Sequence, residues 1–220
     1  MQGDADPGAG YLEPYREAVR DLGPSFGSLL WKNADAQRTR FDVIIDACVL
    51  RGRVVADLGA GLGDLAARMH ERGIEYGRYL AVEGVGELAA AARDKLASVP
   101  ECVVIEGDFV GDTRLFRSLV GEHGAEILAF SGSLNTLDEA DALAVLDRAW
   151  EALRGVRGGQ LVFNFLSDRG AREGENTGPA RRFGAARMVA WAFERTPMVR
   201  VRSDYWHGHD ATVWMGRGGR

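Results

Sequence analysis

Residues 54–65 read Val54-Val55-Ala56-Asp57-Leu58-Gly59-Ala60-Gly61-Leu62-Gly63-Asp64-Leu65. A β-branched pair leads into an acid, three glycines follow at alternate positions, and an Ala-rich helical pattern begins. Glycine suits a backbone that must turn sharply or lie against a ligand with no Cβ in the way. The stretch therefore predicts a strand, a tight loop and a helix start, the nucleotide-binding corner of a doubly wound α/β sheet. The spacing is G-x-G-x-G with an acid two residues ahead, not the G-x-G-x-x-G of a dinucleotide site. No Lys-Ser/Thr follows, so nothing here grips a triphosphate.

On either side of this corner, strand and helix patterns alternate. An amphipathic helix is expected over about 35–50, started by Asn33-Ala34-Asp35. After the corner come helix patterns over about 63–72, 86–97, 113–122 and 139–153. Between them lie apolar strands at Tyr79-Leu80-Ala81-Val82, Cys102-Val103-Val104-Ile105, Ile127-Leu128-Ala129-Phe130 and Gln160-Leu161-Val162-Phe163-Asn164-Phe165. Continuous apolar strands separated by helices predict a parallel sheet covered on both faces. A helix over about 185–195 precedes two further strands, near Met198 to Tyr205 and Ala211 to Met215, which read as a hairpin. The 11–30 segment is amphipathic but interrupted by Pro14, Gly23, Pro24 and Gly27, and predicts a short helix and an ordered loop. Residues up to about Gly10 read as disordered.

The 220 residues are 46% hydrophobic and 27% charged, enough for one domain with a full core plus extra segments at the ends. The net charge of −5 speaks against a dedicated nucleic-acid binder. Cys48 and Cys102 sit in apolar runs and read as buried thiols in a reducing compartment. The first ten residues lack the basic start and apolar block of a signal peptide, and no apolar run approaches the roughly 18 residues of a membrane span. The expected location is the cytoplasm, with no membrane or nucleic-acid partner, as a monomer or homodimer.

In an open parallel sheet, ligands bind beyond the carboxyl ends of the strands. The first strand ends in Asp57 and the loop of Gly59, Ala60, Gly61 and Gly63, where an acceptor can meet an ammonium or an amide. The second ends in Glu83-Gly84, and an acid there can accept both hydroxyls of a ribose. The third ends in Asp108-Phe109, where a carboxylate or amide can reach an adenine amine while the ring packs on its face. The fourth ends in Ser131 to Asn135, small and polar.

Together these strand ends resemble the cofactor-binding motifs of class I S-adenosylmethionine-dependent methyltransferases, over about residues 31–216, with 1–30 as an N-terminal extension. The resemblance implies a Rossmann-like, doubly wound sheet of seven strands, parallel except for an antiparallel last strand, with helices on both faces. It also implies S-adenosylmethionine as methyl donor. A narrower similarity joins Trp31-Lys32, Gln37 to Phe41, Phe163-Asn164-Phe165-Leu166-Ser167, Asp204-Tyr205 and Asp210-Ala211-Thr212-Val213 to a group of small bacterial methyltransferases largely without assigned substrates. It implies that Trp31 and Arg40 lie near the cofactor, Arg40 against the methionyl carboxylate. Gly61 followed by Leu62, and Glu83 followed by Gly84, depart from the family pattern without breaking it.

The expected reaction is in-line methyl transfer to a small molecule, for which the protein chiefly holds donor and acceptor at attack distance. A general base is needed only where the nucleophile must lose a proton. His207 or His209 in the last turn, with Tyr205 before them, are the candidates, and His207 with Tyr205 is the pair expected at the site. His207, His209 and Asp210 also have metal-ligand chemistry, but three ligands in one turn with no distant partner do not make a site, and no metal is expected. Residues 167–183 are expected to form a substrate-side lid, with Arg169, Arg172, Arg181 and Arg182 suited to an acceptor carboxylate or phosphate. The region of Tyr15, Phe26 and Leu29 is expected to close the other side. No Asn/Asp-Pro-Pro-aromatic, Pro-Cys or acidic metal set follows the fourth strand, which disfavours planar nitrogens, cytosine C5 and catechol-type chemistry. Two further readings stay open: a nicotinamide-dependent oxidoreductase, which the glycine spacing disfavours, and a non-catalytic S-adenosylmethionine-binding protein.

Overall fold

The computed structural model describes residues 10–170 and 177–218. One sheet runs through them. Its strands are β1 (Val54–Leu58), β2 (Arg78–Glu83), β3 (Cys102–Glu106), β4 (Ile127–Phe130), β5 (Gln160–Ser167), β6 (Arg182–Phe183), β7 (Val199–Arg202) and β8 (Asp210–Gly216). The order is β3-β2-β1-β4-β5-β8-β7, with β6 paired to β5 off this path. β1 to β5 are mutually parallel, and β8 is antiparallel to both β5 and β7. The expected seven strands with an antiparallel last strand are present. The eighth, β6, is only two residues long and pairs in parallel with the end of β5, inside the segment expected to be lid.

Seven helices complete the fold: α1 (Glu13–Leu22), α2 (Ala34–Ala47), α3 (Asp64–Glu71), α4 (Gly86–Leu96), α5 (Leu115–Gly121), α6 (Glu139–Ala152) and α7 (Ala185–Arg195), counted among the described residues. Asn33 caps α2 by accepting from the Ala36 amide at 2.8 Å, and Asp138 caps α6 in the same way from Asp141 at 2.9 Å. Pro14 does not interrupt α1. It lies in the first turn, where a missing N–H costs nothing.

Side chains alternate across the strands. Ala56, Leu58, Leu80, Val82, Leu128, Phe130, Leu161 and Phe163 face a core shared with α5, α6 and α7. Val55, Tyr79, Ala81, Ile127, Ala129 and Val162 face a second core built on α2 and α3. Tyr11, Leu12, Val19 and Leu29 are buried in the first core, so residues 10–30 pack on the sheet rather than apart from it. Cys48 ends α2 and Cys102 opens β3, both half-buried, and both thiols are free. Among the described residues no helix is long and apolar enough to cross a membrane.

Candidate functional site

β1 has β2 on one side and β4 on the other, so the chain leaves β1 for one half of the sheet and later returns for the other. Above this switch point, at the carboxyl ends of the strands, lies a cavity of about 540 Å³. This is within the range of small-molecule sites, roughly 300–1,000 Å³. The strand-end residues Asp57, Glu83 and Ser131 line it, with Asn164 from within β5 and Gly59 to Gly61 of the first loop.

Asp57 is on the α2/α3 face, 2% exposed. Its Oδ2 accepts from the Tyr79 hydroxyl, and its buried Oδ1 has no hydrogen-bond partner among the described residues. Burial pushes this carboxyl up to about 7; the Tyr79 hydrogen bond opposes the shift, and the nearby charges of Glu83 and Asp64 add to it. Glu83, one strand over, accepts from the Val85 amide at 2.9 Å on Oε1 and from the Gly61 amide at 2.8 Å on Oε2. Burial raises its affinity for a proton, and these amides lower it.

Gly59, Gly61 and Gly63 all have positive φ, of 78°, 56° and 76°. The crowding that demands glycine comes from the protein itself. A Cβ on Gly59 would lie 2.5 Å from Ser133 Cβ, one on Gly61 2.8 Å from Leu29, and one on Gly63 2.6 Å from Leu96. Gly84 is similarly close to Leu12, at 3.1 Å. The first loop is thus clamped between the β4 loop, where the Ser133 hydroxyl donates to the Leu58 carbonyl at 2.6 Å, and the 10–30 segment.

The β4 loop forms the next wall. Ser131 and Asn135 are buried and line the cavity, and Asn135 Oδ1 has no hydrogen-bond partner among the described residues. Asn164 Oδ1 accepts from the Gly132 amide at 2.7 Å and holds the loop to β5. Trp31 lies over Gly132, whose Cβ would be 2.8 Å from the ring. The Arg40 guanidinium sits 4.8 Å from the Trp31 ring centre, a cation–π contact. Arg40 lines the cavity, where it already holds a partner: its Nε and Nη2 donate to Asp210 Oδ1 at 3.0 and 2.6 Å.

Phe109 lines the cavity, while Asp108 does not. Asp108 Oδ1 accepts from the Tyr11 hydroxyl at 2.6 Å and from the amides of Val110 and Gly111 at 2.8 and 3.0 Å, a turn cap that anchors the N-terminal segment. Tyr11, Leu12, Tyr15 and Leu29 roof the cavity, whereas Phe26 is exposed.

The expected catalytic pair lies outside the cavity lining. His207 is exposed in the turn Trp206–Gly208, and Tyr205 is buried with its hydroxyl 2.6 Å from Thr212 Oγ1; neither lines the cavity. His209 and Asp210 do. Of the expected lid, Thr177 to Ala180 line the cavity, Arg169 and Arg181 are exposed, and Arg172 lies outside the described residues. Arg182 donates to the Ser167 carbonyl at 2.7 Å. Asn164 was legible only as an amide inside an apolar strand, a signal of a buried polar role.

No protein-family model and no curated protein matches the sequence. Solved structures do match in shape. An O-methyltransferase family protein from Burkholderia thailandensis aligns over 95% of this chain and 72% of its own, at 16% identity and a TM-score of 0.61. The pyocyanin biosynthetic protein PhzM aligns over 95% of this chain and 69% of its own, at 20% identity and a TM-score of 0.60. Phosphoethanolamine N-methyltransferase 1 of Haemonchus contortus, solved with phosphoethanolamine and S-adenosylhomocysteine, gives a TM-score of 0.64 at 14% identity. That alignment covers 96% of this chain and 48% of the larger protein, so the chain spans about half its length. The fold is that of the class I S-adenosylmethionine-dependent methyltransferases.

Proposed function

We propose that the protein is an S-adenosylmethionine-dependent methyltransferase acting on a small molecule. The observation that carries this reading is Asp57 Oδ1, a buried carboxylate oxygen without a hydrogen-bond partner among the described residues, on a cavity wall beside the glycine loop. A buried acceptor left unpaired costs free energy. The ammonium of a methionyl group would satisfy it. Glu83 would accept the ribose hydroxyls, Phe109 would pack on the adenine, and Trp31 would wall the methionyl end. The residues therefore fit the donor. When bound, S-adenosylmethionine supplies an electrophilic methyl carbon on a sulfonium. What the chain adds is alignment and exclusion of water: the roof of Tyr11, Leu12, Tyr15 and Leu29 covers the site, and the β4 loop forms the wall on the acceptor side.

Calorimetry with S-adenosylmethionine and with NAD tests the reading. Binding of S-adenosylmethionine without NAD is expected, and the reverse rejects it in favour of a nicotinamide enzyme. Methyl-labelled S-adenosylmethionine incubated with a metabolite extract then separates an enzyme, which yields labelled product, from a binding protein, which does not.

A further inference from the structure

We propose that Tyr79 is a positioning residue for the methyl donor: its hydroxyl fixes the Asp57 carboxylate by one oxygen and leaves the other for the donor's ammonium. The inference rests on the methyl-transfer reading above.

Tyr79 is out of a ligand's reach. It is fully buried and does not line the cavity, whereas Asp57 does. Strand register brings the two together. Asp57 on β1 pairs with Ala81 on β2, and Tyr79, two residues earlier, lies on the same face. Its backbone sits in the middle of three strands, paired with Val55 on one side and Cys102 on the other. Its ring belongs to the second core, with the Tyr76 ring centre 6.1 Å away. A ring packed on a rigid strand aims its hydroxyl with little freedom, and Asp57 Oδ2 takes the bond.

The protein gives Asp57 little else. An ionised carboxylate can accept about four hydrogen bonds. Among the described residues the Tyr79 hydroxyl is the one donor to this side chain, and Oδ1 has none. The other acids on the cavity wall are served from within: Glu83 by the amides of Gly61 and Val85, Asp210 by Arg40. The charges that act on Asp57 are both negative, Glu83 at the end of β2 and Asp64 at the start of α3. Asp64 is itself paired with Lys95 of α4 and accepts from Gln37 Nε2 at 3.1 Å. Lys32, Arg40, His209, Tyr11 and Tyr15 are the further charged or titratable groups of the wall, and Tyr76 and Cys102 act on Tyr79 itself.

Burial drives the Asp57 carboxyl toward its neutral form, and the Tyr79 hydrogen bond opposes that drive. A neutral acid would not attract an ammonium. The last torsion of an aspartate is broad, so an oxygen pinned by Tyr79 also sets the plane in which Oδ1 lies. A phenol that only filled the core could bond a backbone carbonyl, as Tyr76 does with Pro100 at 3.2 Å. Tyr79 instead serves the one acid of the wall that the protein leaves half-satisfied.

Calorimetry on the full-length protein with two probes tests this. S-adenosylhomocysteine carries the ammonium, and methylthioadenosine keeps the adenosine and the sulfur without it. Tyr79→Phe is expected to bind S-adenosylhomocysteine about 5–20-fold more weakly near neutral pH, and to bind methylthioadenosine as the wild type does. In the wild type, S-adenosylhomocysteine affinity is expected to fall as pH drops through about 7, where Asp57 takes a proton. In Tyr79→Phe the same fall is expected at higher pH, so the two proteins converge as the solution is made alkaline. In an Asp57→Asn background, Tyr79→Phe is expected to change neither affinity further. Equal loss of both probes in Tyr79→Phe, an unshifted pH profile, or full S-adenosylhomocysteine affinity overturns this inference alone. Failure of the wild type to bind S-adenosylhomocysteine overturns the reading beneath it as well.

Discussion

The Gly61 amide donates to Glu83 Oε2 at 2.8 Å, tying the loop after β1 to the end of β2. Glu83→Gln retains an acceptor for this amide but gives up the charge offered to a ribose diol. S-adenosylmethionine affinity is expected to fall by about 1.5–3 kcal/mol, with the fold kept. Isothermal calorimetry reads this directly, and an unchanged affinity removes Glu83 from the sugar site.

Asp57 couples the site to pH. Its folded pKa of about 7 lies above the ordinary carboxylate value of 3.8. A raised folded pKa means that its contribution to stability is fully present below about pH 4 and is lost as pH rises toward 7. The buried charge then burdens the folded state by roughly 4 kcal/mol at most. Asp57→Asn is expected to be more stable than the wild type at pH 8, with the gap closing toward pH 4, and to bind S-adenosylmethionine more weakly. Urea denaturation at both pH values measures the first effect, and a pH-independent difference contradicts it.

Arg40 and Asp210 form a buried ion pair across 170 positions of sequence. Removing one partner strands the other charge, at a cost of about 3–5 kcal/mol. Arg40→Met alone is expected to lose that much in urea denaturation. The double variant Arg40→Met/Asp210→Leu is expected to recover most of it, since two apolar groups leave no charge unpaired. Equal losses in the two proteins would show that the pair contributes through packing, not charge.

Gly132 has a φ of 74°, and a Cβ there would reach within 2.8 Å of the Trp31 ring. Gly132→Ala is expected to cost about 1–3 kcal/mol from backbone strain and to displace Trp31 from the cavity wall. Thermal unfolding and Trp fluorescence together test it. A lower melting temperature with an unchanged emission spectrum would mean that Trp31 stays in place.

The periodic pattern of residues carried most of the architecture. The strands from β1 to β5 are uninterrupted apolar runs, and a local rule suffices for them because a strand buried on both faces needs no particular partner to be recognised. The same holds for Asn33 before α2 and for the acids at the ends of β1 and β2, since strand ends in this topology share one edge of the sheet. Three things required the folded chain. That His209 and not His207 lines the cavity belongs to a turn with three consecutive left-handed residues, packed against Gly170 and Ser167 from a distant part of the chain. Arg40 was expected against a cofactor carboxylate, yet it first satisfies a buried internal acid, a pairing of residues 170 positions apart that no spacing rule reaches. The glycines of the loop were legible as glycines, but what crowds them, Ser133, Leu29 and Leu96, comes from three other segments. Sequence alone determines which backbone shapes are cheap and which strands are buried. Long-range packing decides which side chain faces the empty space, because that depends on the volume and charge of neighbours brought there by the whole fold.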